Sequence, residues 1–404
     1  MLALEGVRIL DLSRVVPGTF CTMLLGDMGA EVVKIEAPGF SEFVGSSVSP
    51  KGEENRKAAV YFAPNRNKKS IVLSLKIEKG REVFYRLAQQ ADVIVEGFRP
   101  GVAQRLGIDY DTIKKLNPQI VYCSLSGYGQ DGPYRTFPGH DINYISFAGV
   151  LDLIGPREGP PVIPLNLVAD FAGAALYGAM GILTALVARN KTGKGQYVDV
   201  SFVDGAISLM TFFCTNYFLD GMTPKRGETA LSGAYPYYGV YQTKDGEYIT
   251  LGCIEEHFWK NLCRLLGRED YIPYHFAPEH FVGKAEDKLK WEEINSFLRE
   301  TFLTKTRDEW FELLVQNDIP TGKVYTLGEV FTDPQVLHRQ MVIEVEDPTL
   351  GKIKQVGIAP KLSDTPGKVR SLSPLLGEHT DEILQRLGFN QGEIESLRKE
   401  GVVD

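Results

Sequence analysis

Short apolar runs alternate with longer, helix-like stretches through the first third of the chain. Residues 7–12 and 31–35 are apolar enough for buried strands, and residues 18–28 between them carry apolar side chains at helical spacing. The alternation continues through 70–75, 79–89, 92–96, 110–116 and 120–125. Repeated strand–helix–strand units predict parallel strands joined by right-handed crossovers, and therefore a Rossmann-like, open, doubly wound α/β domain.

The pattern changes in the third quarter of the chain. Residues 237–243 and 248–252 alternate around a KDGE turn at 244–247, which predicts a β-hairpin. Helical segments follow at 257–266, 288–304 and 307–317. We therefore predict a small α+β domain over residues 226–325.

Residues 171–188 form an uncharged run close to the length of a short membrane span. The run is rich in Gly and Ala, follows Asp170 and precedes a cluster of basic residues, and no second run of this kind occurs. We predict a buried core helix and no membrane association.

The overall composition limits the classes of function. A net charge of −8, without a dense Lys/Arg block, argues against nucleic-acid binding. The five cysteines form no CxxC pair, so we expect free thiols in a reducing compartment, with neither disulfides nor a metal site. No secretory signal or C-terminal address is recognisable, so a cytoplasmic protein is expected.

Two basic loops lie near the ends of predicted strands. Residues 65–69 (NRNKK) and 98–101 (FRPG), with Arg105 one turn later, place cations near the sheet ends, where open α/β sheets bind ligands. They are either solvated surface loops or a site for diphosphate or phosphorylated adenosine, because Arg forms bidentate contacts with phosphate. The GxGxxG dinucleotide fingerprint is absent after the first strand.

His140 and Asp170 are polar residues at positions that packing does not explain. His140 precedes the apolar run 142–153, and Asp170 stands directly before an apolar helix, where free N–H groups and the helix dipole favour an anion. Each also has a plain structural explanation, as a loop residue and as a helix cap. Combined with the rest of the chain, the two residues are candidates for catalysis.

Eight motifs follow one another along nearly the whole chain: GVRILDLSRVVPG, LLGDMGAEVVKIE, NRNKKSIVLSLK, EGFRPGVAQRLG, SGYGQDGPY, TGKGQYVDV, IPTGKVYTLGEVFTDPQ and PLLGEHTDEIL. In this order they resemble the family III CoA-transferase superfamily, which is also named for CaiB and BaiF and includes the alpha-methylacyl-CoA racemases. So much ordered coverage is specific for the superfamily and less so for one branch.

This resemblance implies how the chain is divided and what it binds. A large CoA-binding α/β domain would span 1–200, a linker helix region 201–225 and the small α+β domain 226–325. A return segment, 326–404, would complete the large domain, which is thus built from both chain ends. The resemblance also implies an interlocked homodimer, with a heteromer as the alternative. The substrate would be an acyl-CoA, with no further cofactor required.

The racemase branch resembles this chain at His140 in GHDINY, Asp170 in NLVADF and Glu255 in LGCIEEHFW. Exchange of a proton alpha to a thioester needs a base on each face of an enolate. His140 would remove the proton and protonated Asp170 would return one. Glu255 would hold the imidazole tautomer, and Asp141 would be a supporting neighbour. Partial burial would raise the pKa of Asp170 from ~3.9. The expected substrates are 2-methylacyl-CoAs or similar branched or aryl acyl-CoAs.

CoA contacts are expected from the matching positions of the family. The residues assigned to them are Val16, Asn67, Lys68, Arg99, Arg105 and Tyr144. Ala37 stands where many relatives carry an Arg that stacks on the adenine, so the adenine contact must differ in this chain.

Residues 61–70 are more similar to the transferases, which supports a second hypothesis. In CoA transfer to a free carboxylic acid, Asp170 would be a nucleophile that forms an anhydride and then a CoA thioester. An inactive partner subunit of a heteromeric transferase is disfavoured because Asp170 is present.

Overall fold

The chain forms two units, and each is built from separate stretches of sequence. The structure is a computed structural model that describes residues 1–38, 51–275 and 287–404. Unit 1 draws on both chain ends, and residues 149–164 belong to unit 2, whereas the sequence prediction placed them in the large domain. Unit 1 comprises Met1–Ala148, Leu165–Leu209 and Pro334–Asp404, and unit 2 comprises Gly149–Pro164 and Met210–Asp333.

Strands and helices alternate along most of the described chain. The strands are β1 (Arg8–Asp11), β2 (Glu31–Glu36), β3 (Lys68–Val72), β4 (Val93–Glu96), β5 (Val121–Ser126), β6 (Tyr197–Ser201), β7 (Tyr238–Gln242), β8 (Tyr248–Gly252), β9 (Thr321–Lys323), β10 (Val342–Asp347) and β11 (Gly351–Val356). The α-helices are α1 (Val16–Asp27), α2 (Arg56–Tyr61), α3 (Glu78–Gln90), α4 (Val102–Leu106), α5 (Tyr110–Leu116), α6 (Asp141–Phe147), α7 (Val150–Leu153), α8 (Tyr177–Thr192), α9 (Phe202–Leu209), α10 (Thr211–Asp220), α11 (Glu256–Leu265), α12 (Lys288–Phe302), α13 (Arg307–Gln316), α14 (Leu327–Val330), α15 (Pro334–His338), α16 (Thr380–Arg386) and α17 (Gln391–Lys399). A π-helix spans Leu167–Leu176, and 3₁₀-helices lie at Glu53–Asn55, Ala63–Asn65 and Glu269–Tyr274.

A six-stranded parallel sheet forms the centre of unit 1, in the order β3-β2-β1-β4-β5-β6. Strands β4 and β5 are buried along their whole length, as expected when a parallel sheet is covered on both faces. The strand order reverses between β1 and β4, and ligands of open α/β sheets bind beyond the carboxyl ends of such strands. The prediction of a doubly wound α/β fold is confirmed.

The C-terminal segment completes the core of unit 1. Ile383 of α16 and Ile394 of α17 are fully or almost fully buried in the same cluster as Phe84 of α3. The backbone N–H of Ser74 donates to the carbonyl of Val402 at 2.8 Å. The two ends of the chain therefore share one core.

The π-helix and α8 form one apolar helix, Leu167–Thr192, with a mean hydropathy of 1.8 over its most apolar window. Length and composition alone would allow it to cross a membrane, but 44% of that window is buried within the chain. The helix packs on β5 and β6 and against α1. It is thus a core element of unit 1, in agreement with the predicted core helix at 171–188.

Unit 2 contains a three-stranded antiparallel sheet, β7-β8-β9, and an aromatic core. Gly246 takes a φ of 83° in the turn between β7 and β8, a left-handed conformation that glycine adopts without steric cost. Trp259, Phe302 and Trp310, from three different helices, are each at most 2% exposed. The predicted hairpin is confirmed.

Candidate active site

His140 is the last residue before α6, and its side chain is exposed. Its backbone N–H donates to Oδ1 of Asn143 at 3.0 Å, which fixes the first turn of the helix. The buried Tyr144 donates its hydroxyl to the carbonyl of Gly139 at 2.6 Å. A Cβ at Gly139 would lie only 2.6 Å from the Tyr144 ring, so glycine permits this approach. Tyr144, predicted to contact CoA, holds the turn that presents the His140 imidazole.

Asp141 connects the start of α6 to the π-helix. Its Oδ2 accepts the backbone N–H groups of Ala169 at 2.8 Å and of Asp170 at 2.9 Å. These donors lie in the first turn of the helix, where no preceding turn supplies acceptors. Asp141 is 4% exposed, and its Oδ1 has no hydrogen-bond partner among the described residues. This single carboxylate therefore positions the backbone of Asp170.

The segment that carries Asp170 is a π-helix, a form that occurs frequently at functional sites. Phe171 packs edge-on against Phe20 of α1, with the ring centroids 4.9 Å apart. On another side the helix meets α9 backbone to backbone, since a Cβ at Gly205 would lie 1.9 Å from the carbonyl oxygen of Gly173. Contacts with two neighbouring helices thus fix the place of Asp170.

Burial raises the pKa of Asp170 above its ordinary value, and the charge of Asp141 raises it further. A hydrogen bond from Nδ2 of Asn166 at 3.1 Å and the nearby His140 act in the opposite direction. The direction agrees with the expectation from partial burial. A carboxyl group in this state retains a proton to higher pH and is able to donate it.

Glu255 belongs to unit 2, where it is exposed and directly precedes α11. It follows the end of β8 by three residues, so the hairpin sets its place in the chain. Its interaction with His140 stays a prediction.

Val16 and Arg99 follow β1 and β4, the two strands between which the strand order reverses. The guanidinium of Arg14 lies over the ring of Phe98, 5.3 Å from its centroid, and so links the two loops. Arg99 and Arg105 are exposed, whereas Val16 is partly buried as the first residue of α1. The positions of Arg99 and Arg105 suit the predicted contacts with phosphate groups.

A polar cavity of about 520 Å³ in unit 1 brings Arg99 together with residues that were not predicted, Arg135, Gln130 and Glu96 among them. Arg135 and Gln130 lie in the loop after β5, within or just beyond the SGYGQDGPY motif, from which we predicted no site residue. Burial raises the pKa of Glu96 to about 7, against the opposing effect of the hydrogen bond from Ser124.

Asn67 and Lys68 are directed into the protein, which does not fit their predicted contacts with CoA. Nζ of Lys68 donates to Asp11 and to the carbonyl of Thr19, both at 2.9 Å, and the side chains of the Lys68–Asp11 pair are 0% exposed. Asn67 takes a φ of 59° and donates to Oδ1 of Asp27 at 2.7 Å. Both residues attach the start of β3 to α1, so we assign them a structural role.

The sequence profile described as CoA-transferase family III matches residues 4–380. This chain belongs to CoA-transferase family III. The resemblance of the eight motifs is thereby confirmed, and the chain is an enzyme of the family that unites CoA-transferases and racemases.

Family III relatives with different reactions are about equally similar to this chain. Alpha-methylacyl-CoA racemase of Homo sapiens is 35% identical over 406 residues, which cover 100% of this chain and 98% of the relative. Succinyl-CoA:glutarate CoA-transferase of Homo sapiens is 36% identical over 411 residues, covering 99% and 90%. The crystal structure of a CaiB/BaiF family protein from Brucella suis has a TM-score of 0.79 at 29% identity, covering 96% of this chain and 99% of that one.

Proposed function

We propose that this family III enzyme exchanges the α-proton of a 2-methylacyl-CoA, or of a similar branched or aryl acyl-CoA, and so racemises its α-carbon. The main observation in support of this proposal is that the exposed imidazole of His140 lies near the half-buried carboxyl group of Asp170, whose pKa is raised. One group is able to accept a proton while the other carries one, as two-base exchange requires. Similarity to human alpha-methylacyl-CoA racemase supports the proposal.

In one direction, the neutral imidazole of His140 accepts the α-proton, and the electron pair of the C–H bond moves toward the thioester carbonyl to give an enolate. The carboxyl group of Asp170 then donates its proton to the opposite face of the α-carbon and becomes a carboxylate. For the other enantiomer the two residues exchange roles. Protons exchanged with water return both groups to their starting states.

Asp141 supports this chemistry through its effects on Asp170. Its two hydrogen bonds hold the backbone of Ala169 and Asp170, and its charge helps to keep Asp170 protonated. We assign Glu255 to the imidazole of His140, on the sequence pattern, where a carboxylate would stabilise the charged form.

Arg99 and Arg105 would bind phosphate groups of the CoA part of the substrate, since guanidinium groups bind phosphate bidentately. Val16 would contact CoA as well, as the family resemblance implies. The proposal requires no cofactor other than the CoA that the substrate carries. We further propose an interlocked homodimer, or a heteromer as the alternative. We also propose that the protein is cytoplasmic and binds neither nucleic acid nor membranes.

Proton NMR of a 2-methylacyl-CoA in heavy water tests the reaction. Incubation with the protein, without any acceptor acid, should remove the α-proton signal as deuterium enters. If the signal persists and CoA appears on a carboxylate added as acceptor, the protein is a transferase.

CoA transfer is the second candidate, supported by the similarity to human succinyl-CoA:glutarate CoA-transferase. The carboxylate of Asp170 would attack the thioester carbonyl and release CoA thiolate, leaving a mixed anhydride. The thiolate would attack the Asp170 carbonyl and release the first acid. Attack by the acceptor carboxylate and return of CoA would complete the transfer. Hydroxylamine should then trap modified Asp170 only after acyl-CoA is added.

A further inference from the structure

Four aromatic side chains of unit 1 form a cluster close to His140, the aromatic patch, which consists of Tyr128, Tyr134, Phe137 and Phe147. The ring of Tyr128 packs edge-on against Phe137 and Phe147, with the ring centroids 6.1 and 5.5 Å apart. Tyr134 contacts the same two rings at 5.0 and 5.3 Å. Tyr134, Phe137 and Phe147 are 45%, 47% and 52% exposed. Exposed aromatic side chains that contact one another, unlike scattered ones, are typical of binding surfaces.

The aromatic patch reaches the residue directly before His140. A Cβ at Gly139 would lie 3.2 Å from the hydroxyl oxygen of Tyr128. Phe147 is the last residue of α6, which His140 directly precedes, so about 10 Å of helix separate the two. The patch therefore extends from the immediate neighbour of the candidate base to the far end of α6.

Tyr144 connects the aromatic patch with Asp170. Its ring packs edge-on against that of Tyr128, with the centroids 5.3 Å apart. Burial raises the pKa of Tyr144 to about 12, and the nearby Tyr128 and Asp170 raise it further. Arg99 acts in the opposite direction. The hydroxyl of Tyr144 is therefore close to the patch, to the candidate acid and to a candidate phosphate contact, all within unit 1.

A turn connects the aromatic patch with the polar cavity of unit 1. The backbone N–H of Phe137 donates to the carbonyl of Tyr134 at 2.8 Å, which closes a four-residue β-turn. The two end residues of this turn belong to the patch, and its two central residues, Arg135 and Thr136, line the cavity together with Arg99. An acyl-CoA with its phosphates at Arg99 would thus have the aromatic patch on the other side of a single turn.

We propose that the aromatic patch binds the acyl group of the thioester substrate and favours aryl groups. The inference rests on the proposed function, which brings the α-carbon to His140 and Asp170 and so places its substituent beside the patch. Aromatic rings attract one another in edge-to-face and offset arrangements beyond the effect of burial. The four members of the patch carry no charge, so the terminal carboxylate of a succinyl or glutaryl group would lose hydration there without a partner. The substrate class narrows to uncharged acyl groups, with aryl groups preferred.

Isothermal titration calorimetry of the full chain with butanoyl-, cyclohexylacetyl-, phenylacetyl- and glutaryl-CoA measures this preference without turnover. The cyclohexyl group is the matched control, because it has a ring of similar size without an aromatic face. Phenylacetyl-CoA should bind at least tenfold more tightly than butanoyl-CoA and roughly two- to tenfold more tightly than cyclohexylacetyl-CoA. Equal Kd values for phenylacetyl- and butanoyl-CoA, equal values for the two rings, or tightest binding of glutaryl-CoA would overturn the proposal.

The double variant Phe137→Ala/Phe147→Ala removes two exposed rings of the patch, so the chain should still fold. Tyr61→Ala, which removes a ring of similar exposure (54%) from α2, is the matched control. The double variant should weaken phenylacetyl-CoA roughly tenfold or more and butanoyl-CoA less than twofold, whereas Tyr61→Ala should change neither. Equal losses for both ligands, no loss for phenylacetyl-CoA, or a change of oligomeric state in sedimentation specific to the double variant would refute an acyl site.

The two proposals fail separately. Calorimetry needs no reaction, so absence of α-proton exchange with every acyl-CoA would reject the racemase function and leave the aryl preference standing. Exchange without any aryl preference would reject the acyl site alone.

Discussion

Asp141 accepts the backbone N–H of Asp170 at 2.9 Å, so that one carboxylate positions the next. Burial is the largest cause of the raised pKa of Asp170, and the charge of Asp141 acts in the same direction. Both the place and the protonation of Asp170 therefore depend on a buried neighbour that the substrate does not have to touch.

Asp141→Asn keeps an oxygen acceptor for both N–H groups and removes the charge. The pKa of Asp170 should fall, because a like charge no longer opposes ionisation. In the direction that uses Asp170 as the proton donor, kcat should therefore begin to decline at a lower pH than in the wild type. Near neutral pH the loss in kcat should be roughly tenfold. The measurement is kcat against pH, with the exposed Asp364→Asn as control. A uniform loss at all pH values would assign Asp141 a structural role only.

His140→Ala and Asp170→Asn each remove one of the two bases. The rate of racemisation should fall roughly 10²- to 10⁴-fold in each variant, the usual contribution of a positioned acid or base. His338→Ala, at an exposed position of α15, is the control for loss of a histidine. Racemisation at the wild-type rate in His140→Ala would exclude the imidazole from the reaction.

Arg99→Ala and Arg105→Ala test the CoA contacts. Each should raise KM for the acyl-CoA about tenfold or more, since a hydrogen bond to a charged group contributes roughly 1.5–3 kcal/mol. The corresponding pantetheine thioester lacks the nucleotide phosphates, and its KM should change little. Arg398→Ala, which breaks the surface pair with Asp381, controls for loss of a cation. Similar increases for both thioesters would contradict phosphate binding.

Glu96→Gln should stabilise the protein at alkaline pH. Burial raises the pKa of Glu96 from 4.5 to about 7, so the folded state binds this proton more tightly than the unfolded state. The stability that the proton contributes is complete below pH 4.5 and is lost as the pH rises to about 7. The free energy of unfolding of Glu96→Gln should therefore equal that of the wild type at pH 4 and exceed it by about 3 kcal/mol at pH 8. Calorimetric Tm values at both pH values check this, and a difference independent of pH would contradict it.

Lys68→Met and Asp11→Asn should each destabilise unit 1, by about 3–5 kcal/mol, because each change removes one charge of a buried ion pair. Combining the two changes should restore only part of the loss in Tm, because the buried Lys34 also interacts with the charge of Asp11. KM for the acyl-CoA should stay unchanged at temperatures where the variants are folded. A higher KM in Lys68→Met without loss of Tm would return Lys68 to the CoA site.

The sheet and the candidate catalytic residues were predictable because their signals are local. Parallel strands that are buried on both faces appear as short apolar runs, and the order of those runs predicts the crossovers. His140 directly precedes an apolar helix, as the sequence predicts, and Asp170 lies near the start of one, although that helix begins at Leu167 and not after Asp170.

The remaining features depend on distant parts of the chain. Lys68 looks like an exposed loop cation in the sequence, because the carboxylate that neutralises it belongs to Asp11, on another strand. The sequence around Asp141 does not indicate its hydrogen bond with Ala169, because the two residues are 28 positions apart. The π-helix around Asp170 and the transfer of residues 149–164 to unit 2 likewise result from packing.

Unit 1 is built from separate stretches of the chain, so its core is complete only after the last stretch has been synthesised. Translation delivers β1 to β6 first, then residues 210–333 of unit 2, and only afterwards α16 and α17 with Ile383 and Ile394. During that interval the apolar surface that receives these helices has no cover, a state that favours aggregation. Nascent chains should therefore need chaperones most between the emergence of the last sheet strand and that of α17.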